Sequence, residues 1–361
     1  MVRENIHRCA PWLVGGPGRC GKTRLVLALW NNPGLLAGFP VEGLFTVFAR
    51  RRIPFFRAQR TLVLEQYLSR PRYVDAARAV SERPIQYFTS SLAELKSALP
   101  ADVGHKIALL DWALSRFAQE NGRQSWAAYD LHPEFLYESF RRHVAGLKLA
   151  VMMRDPCEAV CAMLFWRTYP RRGADHNQRF KHSLILWCLG VQTGRILARR
   201  RPGDVFVFDF NALIEGNPVE CRRVARHLHI EEAAVRAAFD FVPHFDYDAD
   251  HGFLAPDGSR AHLLSAQELA DTAALAGPCY GHEMRFGFAQ PRVEPRRGFV
   301  VFARAVLRLG RIAPNMARMI ADLTYYPGRH AKRRMNEIRR FCHDLLAGLR
   351  CAGGAEIGDT K

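Results

Sequence analysis

Two hydrophobic periods take turns along the chain. Trp12 to Val14 is a short apolar run that breaks into Gly15, Gly16 and Gly18. From Lys22 the spacing becomes helical, through Leu25, Val26, Leu27, Leu29 and Trp30, and residues 31–34 (Asn-Asn-Pro-Gly) supply stop signals. Strand, glycine turn and helix are predicted in that order. Gly43 to Phe48 reads as a second strand, with a helix start as the alternative. Between 61 and 121 the period is helical, as in Ile107, Leu110, Leu114 and Phe117. Ser125 to Asp130 predicts a short strand, and His132 to Val144 an amphipathic helix with Pro133 early in it. Leu147 to Met153 is the strongest strand pattern, followed by a helix through Glu158, Val160, Met163 and Trp166. His176 to Arg200 predicts a long helix closed by Pro202 and Gly203; Asp204 to Phe210 is another strand and Asn217 to Leu228 another helix. Such alternation predicts an α/β three-layer sandwich around a mostly parallel sheet.

Beyond Asp240 the pattern weakens. Residues 240–258 are acidic and turn-rich, without the glycine and terminal Glu of a calcium loop. Arg296 and Arg297 open a region in which 298–323 and 329–349 read as two basic helices with apolar faces. The organisation expected is an α/β domain over 1–295, a basic helical extension over 296–350, and a disordered tail over 351–361. Packing on the core is the simplest role for the basic helices; an acidic partner or an anionic lipid surface is the alternative.

Charge narrows the partners. The 361 residues carry 52 Lys+Arg against 35 Asp+Glu, a net +17 that suits anionic ligands. No specific nucleic-acid motif is present, and the acceptor of any chemistry is expected to be a small molecule or a glycan. The nine cysteines are scattered and odd in number, and Cys157 and Cys161 lack partners at zinc spacing, so free thiols in a reducing compartment are expected. No apolar run reaches the ~20 residues of a membrane span, and the first residues lack a signal-peptide core. A cytoplasmic location follows as the expectation.

Gly16-x-x-x-x-Gly21-Lys22-Thr23 satisfies the P-loop pattern between a strand and a helix. Backbone N–H groups and the helix dipole favour a phosphate there, with Gly18, Arg19, Cys20, Gly21, Lys22 and Thr23 as the binding set. Arg154, at the carboxyl end of the strongest strand, sits where open α/β sheets bind ligands. Glu42 follows the loop helix and could act as a base or be a solvated loop charge. The run from Arg50 to Arg60 could touch an anionic substrate. One chemistry open at this point is ATP-dependent kinase or NTPase action, with Lys22 on the phosphates, Thr23 on Mg²⁺ and Asp209 or Asp111 as a second metal contact. Another is nucleotide binding without catalysis.

The P-loop, Leu149 to Pro156 with its helix, and Val205 to Leu213 followed by Pro218 and a helix ending at His227 and Leu228 together resemble the sulfotransferases that use 3′-phosphoadenosine 5′-phosphosulfate. The resemblance spans residue 12 to about 240. It implies sulfuryl transfer to a hydroxyl or amine without Mg²⁺. Arg19 and Lys22 would face the leaving oxygen, Arg154 would hold the 3′-phosphate, and Glu42 would be the general base. The sequence departs from that family's pattern at three places: Cys20 replaces its serine, Lys22 its first threonine, and Ala162 the serine eight residues after the 3′-phosphate arginine.

Overall fold

A computed structural model describes residues 9–31, 34–39, 106–130, 132–164, 176–240, 263–284 and 293–325. Among them, five strands form one parallel sheet in the order β2-β3-β1-β4-β5. The strands are β1 (Trp12–Gly15), β2 (Leu36–Phe39), β3 (Ser125–Tyr129), β4 (Lys148–Met153) and β5 (Val205–Asp209). Helix α1 (Lys22–Asn31) follows β1, α2 (Lys106–Glu120) precedes β3, and the short α3 (Tyr137–Phe140) precedes β4. Then come α4 (Pro156–Leu164), α5 (His176–Arg200), α6 (Phe210–Ile214), α7 (Pro218–Leu228), α8 (Glu232–Asp240), α9 (Ala266–Tyr280), α10 (Arg297–Gly310) and α11 (Pro314–Tyr325).

Alternation along the strands divides the core in two. Trp12, Val14, Ala150, Met152 and Phe208 face one side, in one cluster with residues of α1 and α7. Leu13, Ala128, Leu149, Val151 and Val205 face the other, against α2, α3 and the second half of α5, where Gly194 lies on Val151 and Leu197 joins the cluster. A strand buried on both faces reads as a continuous apolar run, which is why Trp12 to Val14 and Leu149 to Met153 stand out in sequence. The β5 edge is closed by side chains of α7. Arg223 donates to the Val207 carbonyl at 2.6 Å, and Glu220 accepts the Asp209 N–H at 2.7 Å. Those bonds occupy groups that a foreign strand would otherwise pair with.

Caps explain most boundaries. Asp209 accepts the N–H groups of Asn211 and Ala212, and Asn217 those of Val219 and Glu220 ahead of Pro218. Ser265 and Glu268 form a capping box on α9.

Two sequence expectations change, and one strand lies where none was expected. The helix expected over His132 to Val144 is a 3₁₀ turn (Pro133–Phe135) followed by the single turn α3, because Leu136 between them leaves helical geometry (φ −119°, ψ 3°). The basic helix expected over 298–323 is two helices, α10 and α11, broken ahead of Pro314. Strand β2 lies at Leu36–Phe39, ahead of Gly43 to Phe48, which lies outside the described residues. Both α10 and α11 pack on α5, with Phe299, Val300, Ala303, Val306, Ala317 and Ala321 joining the main core.

Candidate functional site: the carboxyl edge of β1 and β4

Strands β1 and β4 are neighbours running in parallel, so their carboxyl ends open on one edge of the sheet. At the end of β1 the chain forms the loop Gly16–Gly21 before α1. Gly16 has φ +108°, and a Cβ there would lie 2.3 Å from the Met152 carbonyl oxygen on β4. Gly21 has φ +80°, and a Cβ there would lie 2.1 Å from the Phe210 ring. The loop is therefore pressed between β4 and the start of α6, and only glycine permits both the dihedrals and the approach.

The side chains of this loop turn inward. Lys22 is buried, and its ammonium donates to the carbonyls of Gly16 (2.9 Å) and Pro17 (2.8 Å). Cys20 is fully buried, its thiol directed at the Gly18 carbonyl at 3.5 Å. Burial pushes that thiol up to about 11, against the opposing pull of Lys22 and Arg154. Cys20 therefore contributes a backbone N–H and a neutral thiol. Gly18, Arg19 and Thr23 are half-buried on the loop and first helical turn.

A buried carboxylate braces the loop from behind. Glu134 accepts the Gly16 N–H at 3.0 Å through Oε2 and meets His132 Nδ1 at 2.9 Å through Oε1. Its side chain has no exposure and that of His132 has 6%. The His132 ring stacks on Phe135, with centroids 5.1 Å apart. Asp130, at the end of β3, is fully buried, and its N–H donates to the Val14 carbonyl. The sequence reading passed over Glu134. Its signal was an acid two residues after a His-Pro-flanked strand end.

Arg154 follows β4. Its Nε and Nη2 both reach Glu158 Oε2 at 3.0 Å, and Nη1 donates to the Arg19 carbonyl at 3.2 Å. The guanidinium lies 5.1 Å from the Phe210 ring centroid. Glu158 is held in turn by Asn211, whose Nδ2 donates to Oε2 at 3.3 Å while its Oδ1 accepts the Asp155 N–H at 2.7 Å. The fold thus ties the β4 arginine to the P-loop and, through Asn211, to α6. Two of the five N–H groups of the guanidinium, one on Nε and one on Nη1, are in hydrogen bonds, and Nη2 is ion-paired with Glu158. Ala162 is buried on α4, two turns beyond Arg154.

The P-loop residues and Arg154 lie together at this edge of the sheet, joined by the bond from Arg154 to the Arg19 carbonyl. Glu42 lies outside the described residues, as does the run from Arg50 to Arg60. Asp209 serves as the N-cap of α6, and Asp111 accepts the Trp126 indole N–H at 2.9 Å from its place on α2. Among the described residues, no group of three or more His, Cys, Asp or Glu side chains is arranged to hold a metal ion. No described helix is long and apolar enough to cross a membrane.

No family model matches the sequence, and no curated protein matches it. Among solved structures, the chain is similar to the sulfotransferase domain from the curacin biosynthetic pathway, at 11% identity and a TM-score of 0.46, covering 77% of this chain and 99% of that one. It is also similar to the sulfotransferase domain of the Synechococcus PCC 7002 olefin synthase, at 10% identity and a TM-score of 0.42, over 82% and 94% of the two chains. The sulfotransferase STF9 from Mycobacterium avium matches at 16% identity and a TM-score of 0.35, over 77% and 78%. TM-scores below 0.5 at these identities carry no argument about chemistry, which rests on the site itself.

Proposed function

We propose that the protein transfers a sulfuryl group from 3′-phosphoadenosine 5′-phosphosulfate to a hydroxyl or amine of a small-molecule or glycan acceptor. The observation that carries the reading is the bond from Arg154 to the Arg19 carbonyl, which sets a second cationic group against the P-loop. A donor with phosphate at both ends of its ribose would meet two anion-binding corners on one sheet edge. The glycine cradle and the start of α1 fit the 5′ end, and the N–H groups of Arg154 outside its bonds to Glu158 and the Arg19 carbonyl fit a further phosphate. When bound, the donor supplies the activated sulfuryl group on a phosphosulfate anhydride. The chain's part is to hold negative charge with loop N–H groups, Arg19 and the buried charge of Lys22. The kinase reading loses support because Asp209 and Asp111 are engaged in a helix cap and an indole bond.

The acceptor must give up a proton. Glu42 is assigned that role by its place after the loop helix. His132 is the described competitor: in a neutral ring whose Nδ1–H donates to Glu134, Nε2 would be the acceptor nitrogen. Whichever serves as base, its loss should lower kcat by ~10²–10⁴-fold with donor affinity intact. Comparing Glu42→Gln with His132→Asn in a sulfuryl-transfer assay decides between them.

Metal-free adenosine 3′,5′-bisphosphate is expected to raise the unfolding temperature by mass action, and ATP with Mg²⁺ to raise it less. Stabilisation by ATP–Mg²⁺ alone would return the kinase reading. Bisphosphate binding without turnover on a broad acceptor panel would leave a nucleotide-binding protein.

A further inference from the structure

Helix α10 has two unlike faces. Phe299, Val300, Ala303, Val306 and Gly310 are buried. Packing on α5 is close enough that a Cβ on Gly310 would lie 2.4 Å from Leu189. The opposite stripe carries Arg297, Val301, Arg304 and Arg308 at helical spacing, continued by Arg311 and Ile312, and all six are exposed. From Arg297 to Ala321 the chain holds five arginines and no carboxylate. Glu294 lies 3.6 Å from Arg297, in a pair whose side chains are 83% and 90% exposed, which screens that arginine only weakly.

The aliphatic residues on this stripe are the unusual feature. Four large hydrophobic side chains are strongly exposed among the described residues, and three of them, Val293, Val301 (69%) and Ile312 (87%), fall within 293–312. A merely solvated basic face has no use for them. Arginines interleaved with exposed aliphatics on one side of a helix match the boundary between lipid headgroups and acyl chains. Nucleic acid would reward the arginines and leave Val301 and Ile312 in water. The chain's own 329–350 segment, with seven basic residues against two acidic ones, has the wrong charge to cover the stripe.

We propose that the outer face of α10 docks the protein on an anionic phospholipid surface, with the arginines on headgroup phosphates and Val301 and Ile312 dipping between the lipids. This stands independently of the transfer reaction. The test is flotation of the full chain with vesicles of phosphatidylcholine alone and of phosphatidylcholine mixed with phosphatidylglycerol. Binding is expected only to the mixed vesicles, and to fall with added salt as charges are screened. Each basic residue near such a surface is worth roughly fivefold in partitioning, so Arg304→Glu with Arg308→Glu should cost at least about 25-fold. Val301→Ser with Ile312→Ser should cost roughly tenfold, through lost apolar burial. Both double variants change only exposed positions, so their unfolding temperatures should match the wild type. Failure of the wild type to bind mixed vesicles, or binding that survives the arginine reversals, overturns the proposal. So does tighter binding to duplex DNA that the serine pair leaves unchanged; that result would assign the stripe to a polyanion.

Discussion

The two corners of the site hold their ligand-facing groups by opposite means. At the end of β1 the loop turns its own side chains inward: Lys22 caps two loop carbonyls, Cys20 is buried, and Glu134 pins the first N–H. What it offers an anion is chiefly backbone. At the end of β4 a side chain is offered, and a chain of side chains, Glu158 and Asn211, holds it in place. The charges of Arg19 and Lys22 apart, the first corner should therefore tolerate changes of side-chain chemistry and fail on changes of backbone shape. The second should do the reverse.

The largest expected effect tests the first half of that contrast. Gly16→Ala puts a methyl group 2.3 Å from the Met152 carbonyl, in a dihedral region that L-residues rarely enter. Strain and overlap together should cost at least about 3 kcal/mol of stability, read from the urea midpoint at constant m. A loss below about 1 kcal/mol would mean that the loop can move off β4, and would undo the claim that its shape is fixed.

That loop was legible in sequence because its parts are local: an apolar run, glycines at fixed spacing, a helical period. The same holds for β4, α5 and α7, whose patterns and caps lie within their own residues. What was not legible depends on distant partners. Glu134 meets the N–H of Gly16 across 118 residues, and two residues on Leu136 leaves helical geometry, so the expected helix breaks into turns. Strand β2 contains Ala37 and Gly38, poor strand formers that acquire their conformation by pairing with β3. The support of Arg154 by Asn211, 57 positions on, is equally invisible to periodicity.

The second expected effect falls on the β4 corner. Arg154→Ala removes a charge-assisted contact worth roughly 1.5–3 kcal/mol, about ten- to a hundred-fold in affinity. The loss should appear for adenosine 3′,5′-bisphosphate and be small for adenosine 5′-phosphate, measured by calorimetry. Equal loss for both nucleotides would mean that Arg154 acts only by bracing Arg19, and the two corners would then be one.

A pH experiment sharpens the inward-facing description of Cys20. Its folded thiol is raised from an ordinary value near 9.0 to about 11, so the folded state holds its proton more tightly than the unfolded one. This contribution is fully present below pH 9 and is lost as pH rises to about 11, at up to about 1.4 kcal/mol per pH unit. Cys20→Ser removes a group that titrates in this window. Its stability profile should be flatter than the wild type's between those limits, with nucleotide affinity at neutral pH nearly unchanged. Parallel profiles would place the thiol in contact with solvent.

The smallest effect concerns what the β4 corner lacks. Ala162 stands where the family resemblance expects a serine, and it is buried at 2% exposure on α4, one turn beyond Glu158. Ala162→Ser has two outlets for its hydroxyl. It can bond back to the Glu158 carbonyl within the helix, which satisfies it and gives a ligand nothing. Or it can reach a phosphate held by Arg154, adding one hydrogen bond of about 1 kcal/mol, roughly fivefold. The second outcome is expected: adenosine 3′,5′-bisphosphate should tighten by no more than that, and adenosine 5′-phosphate should not change. Because only a group near the 3′ position can separate the two nucleotides, an equal effect on both would detach Ala162 from the phosphate corner. A loss of stability of ~1–3 kcal/mol would show the hydroxyl buried without either partner. With Arg154→Ala, this substitution brackets the corner from both sides, one removing a donor and one adding it. The two changes should be additive on stability, and on bisphosphate affinity only if the added hydroxyl acts without the arginine.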